Sequence, residues 1–154
     1  MKVLLGGIFL GLESIELIKK LFSDGWNRGN TLQRKPTIQD ITTVEPGGKR
    51  LDLSRSDAVV LYETAHNEEQ PEVFYDFVHT RINVTVDART MEGRAQLSKM
   101  EDEIRRIVHA NRKGDGENFD RLLYKTRTDL SDRTKRLHRM TFQVEIVIFS
   151  ELIA

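Results

Sequence analysis

At 154 residues the chain is the size of one domain with its own core. Charged residues make up 31%, and 24 acidic side chains balance 24 basic ones, so a wholly basic nucleic-acid binder is disfavoured. Cysteine is absent, which removes disulfides and cysteine-based zinc sites.

Met1-Lys2 precedes an apolar run, residues 3–12, that resembles a short signal peptide. It has no Ala-x-Ala cleavage pattern and is too short to span a bilayer, so it reads as part of the first element of the fold. Ile8, Leu12, Ile15, Ile18 and Phe22 recur at helical spacing, with Asp24-Gly25 as a stop, which predicts a helix over 8–23. Residues 26–35 are polar and rich in Gly and Asn, the composition of a loop.

Residues 36–44 read as a strand with Pro36 at its start, where the missing N–H does least harm. Glu45-Pro46-Gly47-Gly48 is a turn and 51–56 a connection. Residues 58–64 are apolar and β-branched, as in a strand, and 66–71 read as a polar loop. The clearest strand covers 73–87. Val78, Ile82, Val84 and Val86 share one face, and His79, Arg81, Asn83, Thr85 and Asp87 the other. Strands usually run about five or six residues, so this one is expected to bend or to extend past its own sheet toward a neighbouring chain.

An amphipathic helix over 90–111 follows, with Thr90 as N-cap, Glu92 in the first turn and Leu97, Met100 or Glu101, Ile104, Ile107 and Val108 as its apolar stripe. Residues 118–123 fit a short helix or the start of a strand. Residues 130–139 are too polar for a core. Residues 140–152 form a last strand, apolar on both faces, that belongs centrally in the sheet or under a helix. The fold class is therefore α+β, a mostly antiparallel sheet flanked by an N-terminal helix and a central amphipathic helix, in a single domain.

Catalytic motifs are missing. His66, His79, His109 and His138 lack metal-ligand spacing, and the Gly6-Gly7 and Gly47-Gly48 pairs lack a phosphate-loop pattern. Asp40 with Glu63 is the nearest approach to a nuclease carboxylate pair, and no matching Lys follows at strand spacing. No enzyme activity, metal or cofactor is expected. Charge is unevenly distributed. Glu63, Glu68, Glu69, Glu72 and Asp76 form an acidic run, and Arg121, Lys125, Arg127, Arg133, Lys135, Arg136 and Arg139 a basic one. Such runs are usually solvated faces. The sharper reading is a pair of complementary faces on neighbouring subunits. The alternative use of 121–139 is phosphate contact in a nucleic-acid-binding accessory protein, although without interleaved aromatics for stacking.

The layout resembles the tail-terminator and head-tail joining (neck) proteins of tailed bacteriophages and related viruses. The similarity runs over 12–152 and is carried best by FVHTRINVTVDARTMEGRAQLSKMEDEIRRIV at 77–108, then by RTDLSDRTKRLHR at 127–139 and MTFQVEIVIF at 140–149. The resemblance implies a structural virion protein, assembled in the host cytoplasm. It would form a hexameric ring that ends the tail tube and joins it to the head connector. The expected partners are copies of itself, the tail tube and the connector, with no membrane, and with DNA at most passing through the lumen. The expected subunit contacts are Glu68, Glu69 and Glu72 on one side and Arg133, Lys135, Arg136 and Arg139 on the other.

Overall fold

The computed structural model describes residues 2–5, 8–9, 13–27, 35–40, 57–69, 77–132 and 134–153. Side chains are described within 13–150, those of Asp40 and Phe77 excepted. The expected turn at 45–48, the connection at 51–56, most of the 26–35 loop, the beginning of the long strand at 73–76, Glu72 and Arg133 lie outside the described residues.

The chain is an α+β fold. Its order is β1 (Lys2–Leu5), β2 (Ile8–Phe9), α1 (Ser14–Gly25), β3 (Thr37–Asp40), β4 (Ala58–Glu69), β5 (Phe77–Thr90), α2 (Arg94–Ala110), β6 (Arg121–Asp129) and β7 (His138–Ile153). The seven strands form one sheet, ordered β2-β1-β7-β5-β4-β3, with β6 also on β7. β1 runs parallel to β7 and β3 parallel to β4, and the other pairings are antiparallel.

β7 is central, as expected, although away from the helices it carries Thr141, Gln143 and Glu145 before Val147 and Phe149. On one side it pairs with β5 from His138 to Glu151. On the other it pairs with β6 from Met140 to Val147 and then with β1 from Ser150 to Ile153. Between β6 and β1 the Phe149 N–H would lack a strand partner. Asp120 supplies one, its carboxylate accepting that N–H at 2.7 Å while its own N–H donates to the Val147 carbonyl at 2.9 Å. A side chain thus completes a ladder that two strands share.

The helices cover one face. Leu17, Ile18 and Phe22 of α1 and Leu97, Met100, Ile104, Ile107 and Val108 of α2 pack on Val59, Leu61, Ile82, Val84, Val86, Met140, Phe142, Val144 and Ile146. The period of 3.6 in the helices meets the period of 2 in the strands, and each deposits its apolar set in the same layer. Trp26 follows α1 and stands edge-on to Phe22, with centroids 6.3 Å apart.

Several boundaries differ from expectation. Ile8 and Phe9 are strand, paired with Leu5 and Leu4, and the first helix begins only at Ser14. The apolar spacing from Ile8 onward is real, but Gly6, Gly7 and Gly11 weaken a helix there, and a strand pairing competes. Thr90 does not cap α2. It is still paired with His138 at the end of β5, and Gly93 with φ +108° precedes the helix. The ladder wins over the cap, although the Thr90 hydroxyl still accepts the Glu92 N–H at 3.1 Å. Residues 66–69 are not a loop but the end of β4, paired with Ile82 to His79 beyond an irregularity between Glu63 and Ala65. Over its described residues the long strand β5 stays within its sheet, because β7 matches it from Phe77 to Thr90 and β4 from His79 to Arg89. Of the two readings left open at 118–123, the strand is realised from Arg121.

The turn before β6 is closed by Asp115, whose carboxylate accepts the N–H groups of Glu117 (2.8 Å), Asn118 (2.7 Å) and Phe119 (3.3 Å) and the Asn118 amide (2.8 Å). Gly114 has φ +72°, and a Cβ there would meet the Phe119 carbonyl oxygen at 2.3 Å. Gly116 has φ +77° with nothing within 4 Å. Gly114→Ala is therefore expected to cost more than about 2 kcal/mol, combining a left-handed backbone with a backbone clash, and Gly116→Ala only about 1 kcal/mol. Urea midpoints of the two variants check the difference.

Candidate subunit interface

The face of the sheet turned away from the helices is polar and is organised by ion pairs. Arg89 and Arg139 lie directly opposite each other on β5 and β7. Two like charges so placed repel. Asp87, fully buried, resolves this: Arg139 Nε and Nη2 reach its two oxygens at 3.0 and 2.7 Å, and Arg89 Nε and Nη2 reach them at 3.2 and 2.8 Å. The hydrogen bond to Asp87 is the main reason the Arg139 pKa is raised. Further along, Thr85 and Gln143 exchange hydrogen bonds of 3.1 and 2.8 Å, and Glu145 holds Arg81 at 2.9 Å and Lys125 at 3.8 Å. His79 rests on Phe149, centroids 4.5 Å apart, and Arg121 covers the same ring at 5.7 Å.

Three more carboxylates are buried on or near the helices. Asp57 accepts from Thr90 Oγ1 and Gln96 Nε2, both at 2.6 Å. Glu101 accepts from Arg105 at 2.9 Å and Arg127 at 2.7 Å. Glu103 accepts from Arg106 at 2.5 Å and from the Asn27 N–H at 2.8 Å, tying α2 to the end of α1. Arginines neutralise Glu101 and Glu103, and the hydrogen bonds to Asp57 from a hydroxyl and an amide offset part of the cost of burying it. The sequence reading missed these carboxylates because it sought acids within apolar motifs. The legible signal was an Arg three or four residues from Glu101 and Glu103 on the helix, and Arg89 two residues from Asp87.

The residues expected at subunit contacts fall into two separated groups. Glu68 and Glu69 are exposed at the end of β4, with Glu69 3.8 Å from Arg81 and Glu68 4.0 Å from His66. Lys135 and Arg136 are exposed on the turn between β6 and β7, where Asp132 and Leu137 bridge and Arg136 takes φ +55°. Ten residues of β5 separate the partner of Glu69 from that of Arg139, on the order of 30 Å of strand. The two groups thus sit at opposite ends of one ladder and cannot meet within a subunit. Arg139 differs from its companions, since its guanidinium is spent on Asp87 rather than offered to a neighbour. Met91 and Leu130, the exposed large apolar side chains among the described residues, lie at the end that carries the basic turn.

The carboxylate pair considered for a nuclease has another use. Asp40 is level with Leu61, two residues from Glu63, but the Glu63 carboxylate accepts the Ser14 hydroxyl at 2.7 Å and lies 3.5 Å from His66. Among the described residues no cluster of three or more His, Asp or Glu is arranged to hold a metal ion. No helix there is long and apolar enough to cross a membrane. No family model matches the chain, and no curated protein matches it in sequence.

Two expectations follow from this geometry. Arg139→Ala leaves buried Asp87 with Arg89 alone and is expected to lower the unfolding free energy by about 2–3 kcal/mol, read by denaturant titration. Burial opposes ionisation of Asp115, but hydrogen bonds from the Asn118 amide and the N–H groups of Asn118, Glu117 and Phe119 outweigh it and hold its pKa below the ordinary 3.8. Its stabilisation is complete above that value and is lost as pH falls through the lower, folded value. Asp115→Ala should therefore cost about 1 kcal/mol at pH 7, and the gap from the parent chain should narrow below pH 3.8 in melts taken across that range.

Proposed function

We propose that the chain is a non-enzymatic structural subunit of a tailed virus. Copies of it close into a ring at the neck that stops growth of the tail tube and joins the tube to the head connector. The observation that carries this reading is the separation of charge along one ladder. Glu68 and Glu69 stand at one end, and Lys135 and Arg136, flanked by Met91 and Leu130, at the other. A closed ring is built from two different surfaces that recognise each other, and proteins stacked above and below it need two different docking ends. The resemblance of the 77–108 strand and helix to neck proteins supplies the class.

The nucleic-acid alternative has less behind it. Within 121–139, Arg127 is taken up by Glu101, Arg139 by Asp87 and Lys125 by Glu145. Among the described residues, the cations left for phosphate are Arg121, Lys135 and Arg136, and Arg121 lies apart from the other two.

Light scattering on the purified chain tests the reading. A mass of about six times 17.8 kDa, with ring-shaped particles by electron microscopy, is the expected result. A single-chain mass at every concentration, with DNA binding that falls steeply with salt, overturns it in favour of the alternative.

A further inference from the structure

β6 changes character at Lys125. Before it, Leu122 is buried, Leu123 and Tyr124 are half-buried, and the Tyr124 ring packs on Phe142 with centroids 5.9 Å apart. The register then shifts between Tyr124 and Thr126. Beyond the shift, residues 126–130 are exposed one after another, and Ser131 is half-buried. A strand segment that buries so little gains little from the apolar floor that holds the rest of the sheet.

This outer segment, 126–131, is held in two ways. Its backbone pairs with β7 from Gln143 to Met140, and the Leu130 N–H continues the pairing to the Arg139 carbonyl at 2.9 Å. The Ser131 hydroxyl adds one bond, accepting the Arg139 N–H at 3.1 Å. Two ion pairs tie the segment to α2. Arg94, in the first turn of the helix, meets Asp129, and Arg127 reaches both oxygens of Glu101 at 2.7 Å. Arg94, Asp129 and Arg127 are each about half exposed, so both pairs are open to screening by salt.

Breaking an ion pair is costly when it strands a buried charge. Here it does not. Glu101 is the buried partner, and Arg105, one turn along the same helix, also holds it at 2.9 Å. Arg94 and Asp129 return to water. Arg139 keeps Asp87, and β5 still pairs with β7 over the same stretch. The segment can therefore leave without an uncompensated charge behind it.

We propose that residues 126–131 form a salt-sensitive arm, which opens from β7 and α2 as a unit while the first half of β6 and the β5–β7 ladder stay closed. Opening bares the outer edge of β7 from Met140 to Gln143, a strand edge that the closed arm covers. The device belongs to the single chain and does not depend on the ring.

Hydrogen exchange of the full chain, resolved to single amides, tests the arm. Where reclosing is fast, the rate reports how often each amide is open. The arm amides that bond to β7, Leu130 among them, are expected to exchange faster than those of 84–88 in β5 and 97–108 in α2, and their lead is expected to grow at high salt. Arg94→Gln with Arg127→Gln is expected to speed the arm about tenfold, as two exposed pairs warrant, and to remove the salt effect. The rates in β5 and α2 are expected to stay parental, which shows that the variant is folded. Arm amides that exchange in step with β5, or a parent arm indifferent to salt, or a variant that speeds all three regions alike, overturn the proposal.

Discussion

The structure depends on one ladder, the fourteen antiparallel pairs between β5 and β7. Each of these strands is apolar toward the helices and polar on the other side, so the ladder sets two chemistries back to back. Toward the helices it offers Ile82, Val84, Val86, Phe142, Val144 and Ile146 as a flat apolar floor. On the other side its pairing brings like charges, Arg89 and Arg139, face to face. Such an arrangement holds only because Asp87 is locked between them. The apolar floor supplies most of the driving force, and the ionic clamp fixes the register, since a slip of one residue would put Asp87 among the helices.

The same ladder keeps the ends of the molecule apart. β4 follows β5 to one end with Glu68 and Glu69, and the turn between β6 and β7 carries Lys135 and Arg136 at the other. Neither group of charges has a complementary group at its own level on the same edge. The charges on the outer strands keep those edges from indiscriminate pairing.

Much of this was legible in the sequence, and for physical reasons. The alternation in 78–86 and 140–148, and the 3.6-residue stripe from Leu97 to Val108, report directly which side faces the core, so the class, the second helix and the central place of β7 followed. Boundaries were less legible where two local preferences competed. Thr90 is a good cap and also a good strand residue, and its pairing with His138, forty-eight positions away in sequence, decides between them. Residues 66–69 look like a loop because polarity on both faces is the signature of either a loop or an edge strand that no helix covers. The role of Arg139 was hidden altogether. Along the chain it is one cation in a basic run, and only the register that places it over Asp87 separates it from Lys135 and Arg136.

The placement of β7 has a consequence for how the molecule comes into being. A ribosome makes β1, β5 and β6 before β7, yet β7 is the strand that each of them needs as a neighbour. Until His138 onward has emerged, β5 shows an unpaired edge and half of the core lacks its floor, while β4 can already zip against the other edge. The nascent chain is thus held at a hairpin stage with its apolar face open, and closes late and cooperatively around one segment. Contacts of such long sequence separation make for slow folding.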